Sequence, residues 1–176
     1  MEPIFTVGHS TRSAEEFVAL LKAHRIDLLG DVRTVPRSRH NPQFNCDTLP
    51  ETLRQAGIDY LHLAGLGGLR KPRADSTNGG WRNLSFRGFA DFMETPEFEK
   101  GLARLTDAAK TRRVAIMCAE AVPWRCHRSL ISDALAARGV EVFELSSLTQ
   151  AQPHRMTPFA RVEGNRVTYP GVLQLG

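Results

Sequence analysis

Reactive side chains are concentrated in one short stretch of the sequence, residues 114–128. An apolar run ends at Cys118, and Glu120, Cys126 and His127 follow closely. Thiols, carboxylates and imidazoles serve enzymes as nucleophiles, general bases and metal ligands. Cationic and aromatic side chains suited to holding an anion stand among them: Trp124, Arg125 and Arg128. Packing alone does not require this combination, so the stretch is a candidate site.

The residues on either side indicate that this stretch lies between a strand and a helix. Residues 114–117 are apolar and β-forming, and residues 129–138 have the periodicity of an amphipathic helix. A buried strand, a polar turn and a helix form half of a βαβ unit. In open α/β sheets, ligands bind outside the carboxyl ends of the strands, where such turns lie.

Three further strand patterns end in polar side chains. The patterns cover residues 4–7, 26–32 and 58–63. If these strands run parallel, their carboxyl ends meet at one edge of the sheet. The side chains that would meet there are His9, Ser10, Asp31, Arg33 and His62, with Arg70 in the following loop. This convergence of several strand ends is the strongest functional signal in the sequence.

The alternation of strand and helix patterns predicts an α/β fold. We expect a single domain with a mainly parallel sheet of about five strands and helices on both faces. Residues 139–145 supply the fifth strand, and Ser13 with Glu16 forms a capping box that starts the first helix.

The pattern changes after Ser147. Residues 161–169 predict a small hairpin that turns at Gly164-Asn165. We therefore divide the chain into an α/β domain, residues 1–147, and a C-terminal extension packed on it, residues 148–176. The long loop at residues 65–85 is expected to close over the site.

Composition and charge limit the class of protein. No apolar run approaches the roughly 18 residues of a membrane span, and the first residues lack the pattern of a signal peptide. Three cysteines, an odd number, fit a reducing compartment, so we expect a cytoplasmic protein without membrane association. The net charge of +4 and pI near 9.3 permit an anionic partner. The oligomeric state is left open.

A first hypothesis is nucleophilic catalysis on an anionic substrate that carries phosphate or derives from nucleic acid. Cys118 or Cys126 would be the thiolate, its pKa lowered by the helix N-terminus and by neighbouring cations. His9 or His127 would transfer protons. The gap between Cys118 and Arg125 is one residue longer than in the phosphate loops of tyrosine phosphatases, which argues against their mechanism.

The remaining roles in this hypothesis belong to charged side chains. Glu120 would act as base, and Asp31 would orient a histidine or pair with Arg33. The substrate would be held by some of the following residues: Ser10, Arg33, His62, Arg70, Trp124, Arg125 and Arg128. Structural interpretations stay open as well: Cys118 as a core residue, the Asp31–Arg33 pair as a structural ion pair, and Glu120 as a helix cap.

Two alternatives need no thiol chemistry. Cys118, Glu120, Cys126 and His127 are suitable ligands for zinc or iron, although their spacing matches no familiar metal-binding signature. Alternatively, the chain is a non-catalytic module that binds nucleic acid or another protein through the basic loop at residues 33–40.

The sequence resembles a known family, the domain of unknown function 488 family. The resemblance is carried by four motifs, in order Thr6-Val-Gly-His-Ser10, Asp31-Val-Arg-x-x-Pro36-x-Ser38, Gly57-Ile-x-Tyr60-x-His-Leu63 with Leu66-Gly-Gly68, and Met117-Cys-x-Glu120-x-x-Pro123-x-x-Cys126-His-Arg128. The part of the chain after about residue 147 lies outside it. The resemblance implies a single cytoplasmic α/β domain with signature positions at the predicted site, but no particular reaction.

Overall fold

The computed structural model describes residues 1–171. Its strands are β1 (Ile4–Gly8), β2 (Leu28–Asp31), β3 (Asp59–His62), β4 (Val114–Cys118), β5 (Val142–Leu145), β6 (Ala151–Pro153), β7 (Arg161–Glu163) and β8 (Arg166–Thr168). Its α-helices are α1 (Ala14–Ala23), α2 (Leu49–Gln55), α3 (Leu84–Phe92), α4 (Pro96–Ala109) and α5 (Arg128–Ala137). The predicted alternation of strands and helices is confirmed.

Six strands form the main sheet, in the order β3-β2-β4-β1-β5-β6. The first five are parallel to one another, as predicted, and β6 adds an antiparallel edge strand beside β5. The sequence did not indicate β6, because it is short and ends in Pro153. Proline is tolerated at a sheet edge, where its missing N–H removes no ladder hydrogen bond.

Helices cover both faces of the sheet, as predicted. Alternate residues of β4 belong to two separate core clusters, with Ile116 on one face and Ala115 and Met117 on the other. Apolar residues of α3, α4 and α5 pack on the first face, and those of α1 and α2 pack on the second. Central parallel strands are buried on both faces, which is why residues 114–117 are uniformly apolar.

The chain after residue 147 packs against α5. The predicted hairpin is present as β7 and β8, with Gly164 at positive φ in its turn. The buried Tyr169 hydroxyl donates to Asp133 Oδ2 at 2.8 Å, and His154 Nε2 lies 2.7 Å from Asp133 Oδ1. Burial raises the pKa of Tyr169, and the Asp133 carboxylate raises it further. Residues 172–176 of the predicted extension lie outside the described part of the chain.

The loop at residues 65–85 is fixed mainly by α3. The buried Asp91 carboxylate accepts hydrogen bonds from the Arg73 amide, the Ser76 hydroxyl and the Asn78 side chain. Asn78 in turn accepts a hydrogen bond from the Tyr169 amide. The middle of the loop therefore packs between α3 and the C-terminal hairpin.

Membrane-spanning helices are not found among residues 1–171, since none of the helices there has the necessary length and apolar character.

The end of β1 approaches the chain after β4 so closely that Gly8 leaves no room for a side chain. A Cβ at this position would lie 1.6 Å from the Glu120 carbonyl oxygen. Both neighbours are backbone, so the loop that carries Glu120 would have to move. We therefore expect Gly8→Ala to lower the free energy of unfolding by roughly 1–3 kcal/mol or more, as overpacking does. Urea denaturation measures this change.

Gly65→Ala is the matched control for that substitution. A Cβ at Gly65 would meet only the Gly101 Cα, at 3.8 Å, which is an ordinary contact. We expect its stability to stay within about 0.5 kcal/mol of the parent protein. Equal stability of the two variants would show that the approach of Gly8 to Glu120 is not a structural constraint.

Candidate functional site

The carboxyl ends of three neighbouring strands form one edge of a cleft. In the sheet register Gly8 lies beside Cys118, and Asp31 lies beside Met117. The cleft has a volume of about 390 Å³. Among its lining residues are His9, Arg33, Arg37, Gly68, Cys118, Glu120, Arg125, Cys126 and His127. Seven of these nine, all but Arg37 and Gly68, were predicted as catalytic or substrate-binding residues from their positions in the sequence.

Cys126 lies immediately before α5, with its sulfur against the helix N-terminus. The backbone amide of Arg128 donates to Cys126 Sγ at 3.4 Å, and His127 Nδ1 lies 3.5 Å from the same sulfur. Burial by itself would raise the pKa of this thiol. Hydrogen bonds from Cys118 and His127 and the charge of Arg128 reverse that effect and hold the pKa of Cys126 well below its ordinary value.

Cys118 ends β4 on the same side of the cleft and has the opposite protonation preference. Its thiol is in contact with the Glu120 carbonyl oxygen at 3.7 Å. Burial raises the pKa of Cys118 well above its ordinary value, and the hydrogen bond to Cys126 raises it further. The pair therefore consists of a neutral thiol at Cys118 that stabilises a thiolate at Cys126.

Arg128 lies beneath the two sulfurs and is fully buried. Its Nη1 donates to Cys118 Sγ and to the Glu120 carbonyl oxygen, both at 3.1 Å. Its Nη2 donates to the Ala121 carbonyl oxygen at 3.3 Å and to Glu144 Oε1 at 2.8 Å. Because the guanidinium is occupied by the protein itself, Arg128 positions the thiols and the loop rather than lining the cleft.

Glu144 is a site residue that the sequence did not reveal. It accepts hydrogen bonds from Arg128 and from the Thr6 hydroxyl, and burial raises its pKa. The only sequence signal was a carboxylate inside an otherwise apolar strand, residues 142–145. Such a residue is paired when it is buried, but the sequence did not identify Arg128 as its partner.

His127 is held in one orientation by the neighbouring chain. Its Nε2 donates to the Val32 carbonyl oxygen at 2.9 Å, so Nδ1 faces Cys126. Gly68 packs directly on the imidazole, because a Cβ there would lie 2.5 Å from Nδ1. In the sequence Gly68 was indistinguishable from an ordinary turn glycine.

Asp31 and Arg33 form a buried ion pair at the end of β2. Arg33 donates to both carboxylate oxygens of Asp31, at 2.9 and 2.7 Å, and the Tyr60 hydroxyl donates at 2.5 Å. Burial of Arg33 opposes its charge, but Asp31 outweighs burial and raises the pKa of the guanidinium. Of the two predicted roles for Asp31, the structure therefore places it in the pair with Arg33.

His9 stands beside this pair at the end of β1. Its Nδ1 donates to the Ser10 carbonyl oxygen at 2.8 Å, and its Nε2 lies 3.5 Å from Arg33 Nη1. The ring stacks on Phe44 with centroids 4.4 Å apart. Burial lowers the pKa of His9, so the ring is neutral near pH 7 and presents an acceptor nitrogen to Arg33.

Three charged side chains occupy the exposed margin of the cleft: Arg37, Glu120 and Arg125. Arg37 is 3.9 Å from Asp47, and both side chains are more than half exposed. Arg125 forms no ion pair with any residue in 1–171. Arg125 is therefore available to an anion that enters the cleft, and Arg37 is engaged only in a long, exposed ion pair.

Besides Arg128, four predicted binding residues lie outside the cleft lining. His62 donates to the Arg33 carbonyl oxygen at 2.8 Å, and Arg70 stacks on Phe92 with its Cζ 3.6 Å from the ring centroid. Ser10, at φ 51°, uses its carbonyl to hold His9. Trp124 is 68% exposed and lines a separate cavity of about 690 Å³ beside α5.

The four proposed metal ligands all line the cleft, but they are not arranged as a metal site. Within residues 1–171, no group of three or more His, Cys, Asp or Glu side chains is arranged to hold a metal ion. Cys118 and Cys126 are buried, but Glu120 is exposed at the margin of the cleft.

Comparison with known proteins assigns the chain to a family. Residues 13–135 match the family model described as "Domain of unknown function DUF488". That segment contains the strand ends at Asp31 and Cys118 and the start of α5, and it leaves His9 and the hairpin outside. Neither the curated proteins nor the solved structures searched contain a match. Since the family model covers well over half of the sequence, the chain belongs to the DUF488 family.

Proposed function

We propose that this protein is a cysteine-dependent enzyme in which Cys126 attacks an anionic substrate, one that carries phosphate or derives from nucleic acid. The observation that carries the proposal is the set of groups around the Cys126 sulfur. A helix amide, an imidazole nitrogen, a neighbouring thiol and a buried guanidinium all stabilise negative charge there. A purely structural buried cysteine has no need of them and remains a neutral thiol.

His127 supplies the proton transfer in this proposal. With Nε2 bonded to the Val32 carbonyl, only Nδ1 is available to exchange a proton with Cys126. The proton that leaves the thiol resides on Nδ1, and the imidazolium then returns it to the leaving group of the substrate. The Val32 carbonyl oxygen sets the tautomer of His127, because the ring nitrogen that donates to a carbonyl must carry the proton.

The margin of the cleft provides the binding groups. Arg125 and Arg37 attract the anionic part of the substrate, and the exposed Glu120 carboxylate is placed to activate water for a second step. The Arg128 amide donates to the Cys126 sulfur and the Ser129 amide donates to the Cys126 carbonyl oxygen, so these two groups of the helix N-terminus are not available to the substrate. The two cysteines of the cleft and Cys46 are free, which fits the reducing cytoplasm that belongs to this proposal.

A second candidate function is binding of nucleic acid without turnover. The observation that favours it is the exposed basic loop beside the cleft, where Arg37, Arg39 and His40 all face solvent. Contacts between such cations and phosphates release counterions, so binding would weaken steeply with salt. Salt-dependent binding of single-stranded oligonucleotides that is unchanged in Cys126→Ser would favour this candidate over the enzyme.

The depressed pKa of Cys126 predicts reactivity at low pH. A thiol whose pKa is held well below its ordinary value keeps a larger thiolate fraction at low pH than an ordinary cysteine with pKa about 8.5. We expect iodoacetamide to alkylate Cys126 at about pH 6 at least ~10-fold faster than Cys46. Peptide mass spectrometry of timed samples measures both sites in one protein. Slower labelling of Cys126 than of Cys46 at this pH would contradict the proposal.

Gly68→Ala tests the contribution of His127 without replacing it. The added Cβ must displace the imidazole from its place beside Cys126, so the pKa of Cys126 should rise and its alkylation near pH 6 should slow by about 10-fold. Gly65→Ala, whose Cβ would make only an ordinary contact with the Gly101 Cα, should leave the rate unchanged. Unaltered labelling in a folded Gly68→Ala protein would remove His127 from the proposed activation.

The cations at the cleft margin predict that Cys126 reacts preferentially with anionic alkylating reagents. Iodoacetate is anionic and iodoacetamide is neutral, so the ratio of their rates at Cys126, relative to Cys46, reports the local potential. We expect Arg125→Gln to lower this ratio by about 2–5-fold at low salt, since surface charges steer anions weakly but measurably.

Arg104→Gln is the control for that comparison, because Arg104 is an exposed arginine of α4 that does not line the cleft. A ratio that falls equally in both variants would reflect net charge alone and would argue against an anion site at Arg125.

A further inference from the structure

We propose that Cys118 and Cys126 are a redox pair that a hydroperoxide converts into a reversible disulfide, which blocks the nucleophile of the cleft. The proposal rests on the proposed function in one respect, the assignment of the reactive sulfur to Cys126. It adds a modification site and a means of regulation that catalysis by Cys126 does not require.

The two sulfurs are held together by a single residue. Arg128 donates to Cys118 Sγ through its guanidinium at 3.1 Å and to Cys126 Sγ through its backbone amide at 3.4 Å. Both side chains line the same cleft, so a small oxidant that enters it meets both sulfurs.

The backbone between the cysteines can accommodate the bond. Residues 119–125 connect the end of β4 to the start of α5 as a loop that includes one 3-10 turn, Pro123–Arg125. Cys118 is fixed by the strand, where its carbonyl accepts from the His9 amide at 2.9 Å. Cys126 precedes the helix and is extended, with φ −138° and ψ 145°. We infer that this loop moves to bring the sulfurs to bonding distance, while the strand keeps Cys118 in place.

The chemistry proceeds in two balanced steps. The Cys126 thiolate attacks the terminal oxygen of the hydroperoxide; the O–O bond breaks, and the products are the sulfenic acid of Cys126 and, after protonation, an alcohol or water. The Cys118 thiol then attacks the oxidised sulfur, the S–O bond breaks, and the disulfide forms as water leaves. Two equivalents of a small thiol reverse the change by thiol–disulfide exchange.

The arrangement assigns different roles to the two cysteines. Cys126 is the thiolate that meets the oxidant, and Cys118, kept as a thiol by burial, is the resolving cysteine. Nothing in this scheme involves Cys46, which lies on the loop before α2, is only partly buried and does not line the cleft. Cys46 is therefore an internal reference in the same protein.

The test is titration of the reduced full-length protein with hydrogen peroxide, followed by alkylation and intact-mass and peptide analysis. We expect the parent protein to lose two hydrogen atoms and to show a Cys118–Cys126 cross-linked peptide. Dithiothreitol should restore both thiols. Alkylation of Cys126 should fall by more than about 10-fold on oxidation and recover on reduction, whereas alkylation of Cys46 should not change.

Cys118→Ser separates the two steps. Without a resolving thiol, the sulfenic acid at Cys126 should persist, so that a cyclic 1,3-dione reagent labels it and excess peroxide carries it to sulfinic acid. Cys46→Ser, as the matched control, should form the disulfide as the parent does. Cys126→Ser should take up no oxygen at Cys118 under the same conditions.

The outcomes distinguish this inference from the proposed function. Fast alkylation of Cys126 at about pH 6 together with no disulfide at any peroxide dose would overturn the redox pair and leave the nucleophile intact. Loss of both the low-pH alkylation and the disulfide would overturn both proposals. A disulfide to Cys46, or one formed equally fast in protein unfolded by urea, would show that the folded cleft does not direct the reaction.

Discussion

The buried guanidinium of Arg128 holds together the cysteine side of the candidate site. It donates to the Cys118 sulfur, to two carbonyls of the loop after β4, and to Glu144 on β5. A buried charge is costly unless it is paired, and removal of one partner from such a pair costs roughly 3–5 kcal/mol. The loop, the strand and the thiols are therefore held in one arrangement. The charge of Arg128 also favours the thiolate form of Cys126, which lies two residues earlier in the chain.

Close backbone contacts complete that arrangement. The end of β1 touches the Glu120 carbonyl at Gly8, and the turn after β3 touches the His127 imidazole at Gly68. At both positions any side chain would collide with its neighbour. The contacts place the turn after β4 against β1 on one side and against the chain after β3 on the other, which closes the cleft around the two cysteines. The Glu120 carbonyl oxygen is thus held both by the close approach of Gly8 and by the hydrogen bond from Arg128.

The two histidines of the cleft differ because their hydrogen-bond partners differ. His9 gives its Nδ1 proton to a carbonyl and directs Nε2 at Arg33, whose charge adds to burial in keeping the ring neutral. His127 gives its Nε2 proton to the Val32 carbonyl and directs Nδ1 at Cys126. Identical side chains in one cleft are therefore a fixed structural acceptor at the end of β1 and, in the proposed mechanism, a proton-transfer partner at the start of α5.

Periodicity and local residue types in the sequence were enough to determine the α/β class, the parallel sheet, the C-terminal hairpin and the edge where His9, Arg33, Cys118 and Cys126 meet. Those features depend on alternation and on strand ends, which are local in the chain. Only the tertiary structure decided which groups pair: Glu144 with Arg128, and Gly68 with His127. Such contacts join residues far apart in sequence, and the hydrogen bonds and charges around the two buried sulfurs, rather than burial itself, lower the pKa of Cys126 and not that of Cys118. No local pattern encodes that choice.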